Sequence, residues 1–378
     1  MGGLTILFAR TARAVCARFA RERLLLVLAA AFVILLALRP GEWSNLPALV
    51  DWNTIGALAG LMLLSRALED SGYLERLGRA LLSKITGERT LALCLVAFAA
   101  VLSAFVTNDV ALFIVVPLTV GMRVAADIPL GRLVVFQALA VNAGSAVSPI
   151  GNPQNLFLWQ VSGMGFLEFT MMMAPLAVAL TVLLLIAVPI GFPRRAIAVR
   201  PPAGEVRSRP RLLMATLPLY PVFIVLADKG WPVTTALALV ALYLCIDRRV
   251  VAGTDWFLLA VFVLMFLNLG IVAGFGCVAT LFAGVDTWPG GVFGAAALLS
   301  QGISNVPATL FLAEFTDDWR ALAWGATVGG FGFAVGSLAN LIALRLAREP
   351  GLWREFHLWS VPALALGTAA ALVLIWVF

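Results

Sequence analysis

Histidine occurs once in this 378-residue chain, as His357, and the four cysteines, Cys16, Cys94, Cys245 and Cys277, form no C-x-x-C pair. A histidine metal centre is therefore excluded, and neither zinc nor dithiol chemistry is indicated. His357 reads as a residue of a polar loop, and three of the cysteines, in apolar segments, read as small core residues. Charge is scarce too: 12% of residues are Asp, Glu, Lys or Arg, about half the 25% of a soluble domain. A water-facing surface of ordinary size cannot be built from that. The net charge of +6 is scattered in short clusters with no basic face interleaved with aromatics, which argues against nucleic acid. No embedded acid–base pair or nucleophile–base pair is visible, which counts against an enzyme.

What is present is apolar length. The chain is 62% hydrophobic with a mean hydropathy of +1.01, and runs of spanning length, about 20 residues, recur throughout. They lie near 24–38, 46–65, 131–162, 169–191, 212–227, 231–246, 256–283, 320–346 and 358–378. Two more, 90–122 and 291–314, are interrupted by the polar stretches Ser103–Asp109 and Ser300–Asn305. Each is too long for one crossing and too short for two, which predicts a re-entrant hairpin whose tip is enclosed by protein or a wet cavity. With the N-terminus in the cytoplasm and the hairpins not counted as crossings, all Lys and Arg except Arg39, Lys229 and Arg320 fall on the cytoplasmic side, as the positive-inside rule requires. Two full spans per hairpin would preserve the same charge pattern; the polar tips favour re-entry. The arginine-rich stretch 1–23 reads as a basic cytoplasmic segment, since no small-residue cleavage site follows it. Trp43, Trp52, Trp288, Trp319 and Trp353 near span ends suit an aromatic belt, and Asp51, Asp286, Glu314, Asp317 and Asp318 read as solvated loop residues at the outer edge.

An internal repeat divides the chain. Leu102–Asn108 aligns without a gap with Leu299–Asn305, and Gly144–Leu156 with Gly329–Leu341. Two blocks in matched order give a first repeat over 24–191, an Arg/Pro-rich cytoplasmic linker and linking helix over 192–230, and a second repeat over 231–378. One crossing by the linking helix turns the second repeat upside down. The expected fold is all-α and polytopic, an inverted repeat with two hairpins and two broken helices, the pattern of secondary transporters.

A broken membrane helix leaves amides at one half-helix start, which attract anions, and carbonyls at the other half's end, which attract cations. Hydroxyl and carboxamide side chains complete such a shell. The candidates are Ser103, Thr107, Asn108 and Asp109 at the first tip and Asn142, Ser145, Ser148, Gly151, Asn152 and Asn155 in the first broken helix, where Pro149 and Pro153 bracket the break. In the second half they are Ser300, Ser304 and Asn305 at the tip, with Asn305 as a helix N-cap, and Thr327, Gly336, Ser337 and Asn340. Any of these also serves to glue helices. Asp109, ionised inside a bilayer, costs at least about 2.5 kcal/mol, so it needs a cation or a proton.

Val106-Thr107-Asn108-Asp109-Val110-Ala111-Leu112 and Asn142 through Asn155 resemble the hairpin and broken-helix signatures of the ion transporter superfamily, which includes divalent anion–sodium symporters, arsenite permeases and sodium–proton antiporters. The Asn-Asp pair is similar to the arsenite-permease branch. The resemblance covers 24–378 and implies a transport domain moving as an elevator against a scaffold, in a homodimer. It also implies Na⁺ or H⁺ coupling, with Na⁺ near Ser103, Asn108 and Gly151, and no cofactor. Tips reading Thr107-Asn108-Asp109 and Ser304-Asn305-Val306 depart from the Ser-Asn-Thr of the dicarboxylate symporters. The expectation is a bacterial-type inner-membrane transporter of a small carboxylate or inorganic oxyanion; a cation–proton antiporter and an arsenite or antimonite efflux permease stand as alternatives.

Overall fold

The structure, a computed structural model, describes residues 23–82, 85–123, 128–197 and 208–377. The basic segment before Arg23, with Cys16, and the centre of the linker lie outside the described residues.

The described elements are helical. In chain order they are α1 (Arg23–Leu38), a 3₁₀ segment (Pro40–Leu49), α2 (Trp52–Asp70), α3 (Tyr73–Leu82), α4 (Glu88–Phe105), α5 (Asn108–Arg123), α6 (Leu130–Ser145), α7 (Pro153–Ser162), α8 (Phe166–Gly191) and α9 (Pro210–Asp228). There follow α10 (Pro232–Ile246), α11 (Arg248–Gly253), α12 (Trp256–Ala273), α13 (Gly276–Phe282), a 3₁₀ turn (Val285–Thr287), α14 (Gly291–Ile303), α15 (Asn305–Leu312), α16 (Trp319–Gly329), a second 3₁₀ turn (Ala334–Gly336), α17 (Leu338–Ala347) and α18 (Leu352–Val377). Short polar residues start several of them. Asp51 accepts from Thr54 N–H at 2.6 Å, Asp255 from Leu258 N–H at 3.3 Å, and Asp318 from Ala321 N–H at 2.9 Å, each satisfying an amide that has no intrahelical partner.

Among the described residues, five helices, α4, α8, α9, α12 and α18, are long and apolar enough to cross a membrane, and the bent pair formed by the first 3₁₀ segment and α2 makes a sixth. Their outward faces are apolar. On α8, Leu167, Met171, Val178, Val182, Ile186 and Ile190 are exposed at near four-residue intervals, one stripe of a helix. A face of that kind has hydrocarbon as its solvent: this is a polytopic all-α membrane protein.

Both interruptions expected from the sequence are present, with corrections. α4 ends at Phe105 and α5 starts at Asn108; α14 ends at Ile303 and α15 starts at Asn305. α4 has 18 residues and reaches a crossing's length alone, whereas α14 and α15, of 13 and 8 residues, rise only about 20 and 12 Å. The segments 131–162 and 320–346, expected as the broken helices, are each two helices, α6/α7 and α16/α17. α2 runs to Asp70 rather than 65, because the 3₁₀ segment takes up its expected start at a 51° bend. His357 is not in a loop; it is half-buried in α18. Cys94 is half-buried, but Cys245 and Cys277 are exposed, so the core reading of those two is corrected: an apolar segment facing lipid hides nothing.

Packing brings the halves together. α6 lies against α4, α5 and α17, α17 also touches α5, α16 lies against α14, and α18 covers α6, α8 and α16. α2 packs on α9 and α10, joined by a buried Ser65–Tyr220 hydroxyl bond of 3.0 Å. The start of α4 is tied to the chain beyond α8 by Glu88 N–H to the Arg195 carbonyl at 2.9 Å and Ile197 N–H to the Thr86 carbonyl at 2.8 Å.

Candidate functional site

The two interrupted pairs meet where their breaks occur. At the first, Val106 and Thr107 are non-helical, and Asn108 N–H donates to the Gly151 carbonyl at 2.8 Å, fastening the tip to the break between α6 and α7. Ser148 Oγ adds a bond to the Ala104 carbonyl at 3.2 Å. Asn108 Oδ1 accepts from Asp109 N–H at 2.9 Å. Asp109 lies beside Thr107 and close enough to Asp255 and Glu69 to feel their charge.

The breaks are held open by carboxamides. Breaking α6 and α16 orphans carbonyls at their ends, and two at each break are met by an amide NH₂. Asn152 Nδ2 donates to the Ser145 carbonyl at 3.0 Å and Asn155 Nδ2 to the Ala146 carbonyl at 2.9 Å. In the second half Gln301 Nε2 donates to the Gly329 carbonyl at 2.7 Å and Asn340 Nδ2 to the Gly330 carbonyl at 2.9 Å. Asn142 of α6 then crosses between the halves. Its Nδ2 donates to Asn340 Oδ1 at 2.8 Å and to the Gly330 carbonyl at 3.2 Å, and its Oδ1 accepts from Ser337 Oγ at 3.0 Å. The half-helices that follow are capped alike, by Asn152 Oδ1 from Asn155 N–H at 2.9 Å and by Ser337 Oγ from Ala339 N–H at 3.3 Å. Asn152 and Ser337 share nearly the same backbone, φ −151°, ψ 154° and φ −146°, ψ 138°.

The second tip is strained. Ser304, not Asn305, occupies the N-cap position, and Asn305 is the first helical residue. Ser304 has φ 74° and ψ 154°, a region that is nearly glycine-only and costs about 1–3 kcal/mol. Ser304 Oγ donates to Asn305 Oδ1 at a long 3.4 Å. Ser304→Gly is expected to raise the midpoint of thermal unfolding in detergent by several degrees and Ser304→Val to lower it. An unchanged midpoint in the glycine variant would mean that the tip stores no strain.

All the sequence candidates are buried except Asn108 and Asp109, which are half-buried. Ser103 and Ser300 bond back to their own helices, to the carbonyls of Ala100 at 3.0 Å and Ala296 at 2.6 Å, and Ser145 Oγ to that of Asn142 at 3.3 Å. Asn155 Oδ1 and Thr327 Oγ1 are buried with no partner among the described residues. A methyl group at Gly336 would lie 2.7 Å from the Gly329 carbonyl oxygen, so only glycine fits there without a shift. Sequence reasoning passed over Gln301 and the Gly330 carbonyl. Gln301 was visible as a carboxamide inside the interruption; a backbone carbonyl leaves no signal in the letters.

The outer acidic residues are more than solvated loops. Asp51 and Asp318 are helix caps, and Asp286 accepts from Thr316 Oγ1 at 3.0 Å. Glu314 borders two cavities of about 460 and 750 Å³, the first with Asp51 and Trp319, the second with Glu42, Asp286 and Asp317. Burial pushes the Glu314 carboxyl above its ordinary range.

Interrupted apolar helices, paired and interlocked through neutral polar groups, define a membrane transport protein. The chain belongs to the citrate transporter family, CitMHS, which matches residues 16–329. Inner membrane protein YbiR of Escherichia coli is 42% identical over 338 residues, 89% of this chain and 90% of that protein. An uncharacterized transporter of Methanocaldococcus jannaschii is 29% identical over 302 residues, 79% of this chain and 82% of that one. The silicon efflux transporter LSI3 of Oryza sativa is similar over a shorter stretch, 29% identical over 132 residues, 35% of this chain and 27% of that protein. With this family the chain is a transport protein rather than an enzyme, its cargo a small molecule or ion.

Proposed function

We propose that the protein is a secondary active transporter of a small anion, a carboxylate or an inorganic oxyanion, coupled to Na⁺ or H⁺ across a bacterial-type inner membrane. In this reading the two halves are inverted repeats, the interruptions are re-entrant, and the unit that carries them moves as an elevator against a scaffold containing α2, α9 and α10. The observation that carries it is the bonding of Asn142 to Asn340, Ser337 and Gly330, which makes the two breaks one structure rather than two separate kinks.

The two tips differ in charge, which supports a division of labour. The second, with Ser304, Asn305 and the amides of Asn305 and Val306, which a helix start leaves without an intrahelical partner, is neutral and offers donors, as an anion requires. The first offers oxygen: Asp109, Ser103 Oγ, the Gly151 carbonyl and the partnerless Asn155 Oδ1. Hard oxygen ligands suit Na⁺, and a carboxylate suits a proton. A second reading, efflux of arsenite or antimonite, is favoured by the Thr107-Asn108-Asp109 tip.

The test is flux into proteoliposomes of labelled citrate, phosphate or arsenite, each under a Na⁺ or a pH gradient. Gradient-driven uptake of an anion is expected. Asn108→Ala and Asn305→Ala are expected to cut it by more than about tenfold, the worth of about 1.4 kcal/mol of lost binding, with expression intact; Asp109→Asn is expected to remove or reshape the Na⁺ or pH dependence. Flux of arsenite alone would reject the anion reading, and wild-type flux in both asparagine variants would make the tips structural only.

A further inference from the structure

His357 is the chain's single histidine, and the transport reading makes no use of it. It sits in the second turn of α18, against the break between α16 and α17. Its Nδ1 lies 2.7 Å from the Trp353 carbonyl. A carbonyl only accepts, so Nδ1 carries the hydrogen. Nε2 is then a lone pair, and it accepts Ala334 N–H at 3.3 Å. The preceding amide, Phe333 N–H, donates to Gln301 Oε1 at 2.7 Å. Two successive amides of the break are thus held by side-chain acceptors. Three residues on stands Ser337, whose hydroxyl joins the second half to Asn142.

We infer that His357 is a positioning residue for the second break and that its protonation releases Ala334, so that the break is ordered in the neutral state and loosened in the acid one. The two acceptors differ in one property. A carboxamide does not titrate, whereas an imidazole does so between about pH 5 and 8. Protonation puts a second N–H where the lone pair was, and two donors then face each other. The imidazole itself stays in place, since the rings of Phe333, Trp353 and Phe356 lie 5.8, 5.3 and 5.5 Å away and aromatic faces tolerate a cation. The charged groups around it leave Ala334 as its polar partner across the helix boundary. On α18 Glu355 is committed to Arg132 of α6 at 2.8 Å, and Arg354 is its other charged neighbour. α8 and α16 carry Glu168 and Arg320, both at the ends away from His357, and the 3₁₀ turn at Ala334–Gly336 carries no charge. The inference rests on the transport reading only for its consequence, a cargo shell that slackens with acid; the geometry is tested apart from any cargo.

Because the chain has one histidine, selective ¹⁵N-histidine labelling of the protein, purified in nanodiscs with a histidine-free tag, reports His357 alone. Spectra are taken at about pH 8 and about pH 5, which bracket the range where imidazoles change charge, and the expected change is from the Nδ1–H tautomer towards the doubly protonated ring. In step with it, amide exchange over 331–337, corrected for its intrinsic pH dependence, should rise about fivefold or more, the effect of one lost neutral hydrogen bond. His357→Phe should exchange fast at both pH values, and His357→Gln should show no pH step and serves if the Phe variant fails to fold. An Nε2–H tautomer, a ring that stays neutral to about pH 5, or a titrating ring with unchanged exchange would each overturn the inference. None of these readouts involves transport, so a failed cargo assay leaves them standing.

Discussion

Gly144→Ala is expected to prevent the protein from reaching its folded state in the membrane, while Gly302→Ala, a chemically identical change, leaves folding intact. A methyl group at Gly144 would overlap the Ala100 carbonyl oxygen of α4 and lie 2.6 Å from both its Cα and its carbonyl carbon. All three atoms are backbone, so no side chain can turn aside; α4 and α6 would have to move apart along the whole contact that carries Asn142 and the first break. Overpacking costs about 1–3 kcal/mol where side chains can adjust, and more is expected where none can. Gly302, within α14, has nothing within 4 Å of the same position. Alanine there is neutral or favourable, since glycine inside a helix costs about 1 kcal/mol. The check is yield of monodisperse protein after detergent extraction. Equal yields from the two variants would show that α4 and α6 are not as close as described. The same close approach recurs in the second half, where a methyl at Gly329 would lie 2.5 Å from Ser300 Cβ and 3.0 Å from the Ala297 carbonyl.

Asn142→Leu is the second large effect. It leaves Asn340 Oδ1 and Ser337 Oγ without their bonds to α6 in a buried setting. Bonds between helices in bilayers average about 0.6 kcal/mol, and an orphaned buried polar group costs about 1–3 kcal/mol. Two such groups place the loss between about 1 and 6 kcal/mol. Flux of whichever cargo the proteoliposome assay identifies is expected to fall by more than about tenfold. Asn340→Leu should do the same, and the double variant should be no worse than either, because coupled residues are non-additive. Additive losses, or near-normal flux in Asn142→Leu, would show that the halves act separately.

How much of this was readable beforehand follows from the physics of each feature. The helix breaks were legible at Asn108, Asn305 and Gly151-Asn152 because a polar stretch inside a long apolar run has no stable place except a break. The matched Gly144 and Gly329 were legible as a repeat, but not as contacts: a glycine looks the same whether another backbone or open space lies beside it. The asparagines were legible as polar residues of the breaks. That Asn152, Asn155 and Asn340 spend their NH₂ groups on orphaned carbonyls was not, because hydrogen-bond direction depends on coordinates. His357 was misplaced because the short polar stretch Glu349 to His357 resembles a loop, whereas the helix starts at Leu352 and its partner, Ala334, is 23 residues away.

Neutrality of the clamp has an electrical consequence. Asn142, Asn152, Asn155, Gln301, Ser337 and Asn340 carry dipoles and no net charge, so the elevator movement proposed above would do no work on their account in the membrane field. Each unit charge that crosses is worth about 2.3 kcal/mol per 100 mV. Whatever sensitivity to voltage the turnover displays is therefore owed to charges other than these six side chains: the cargo, the coupling ion, Asp109 and, in acid, the protonated His357 beside the second break.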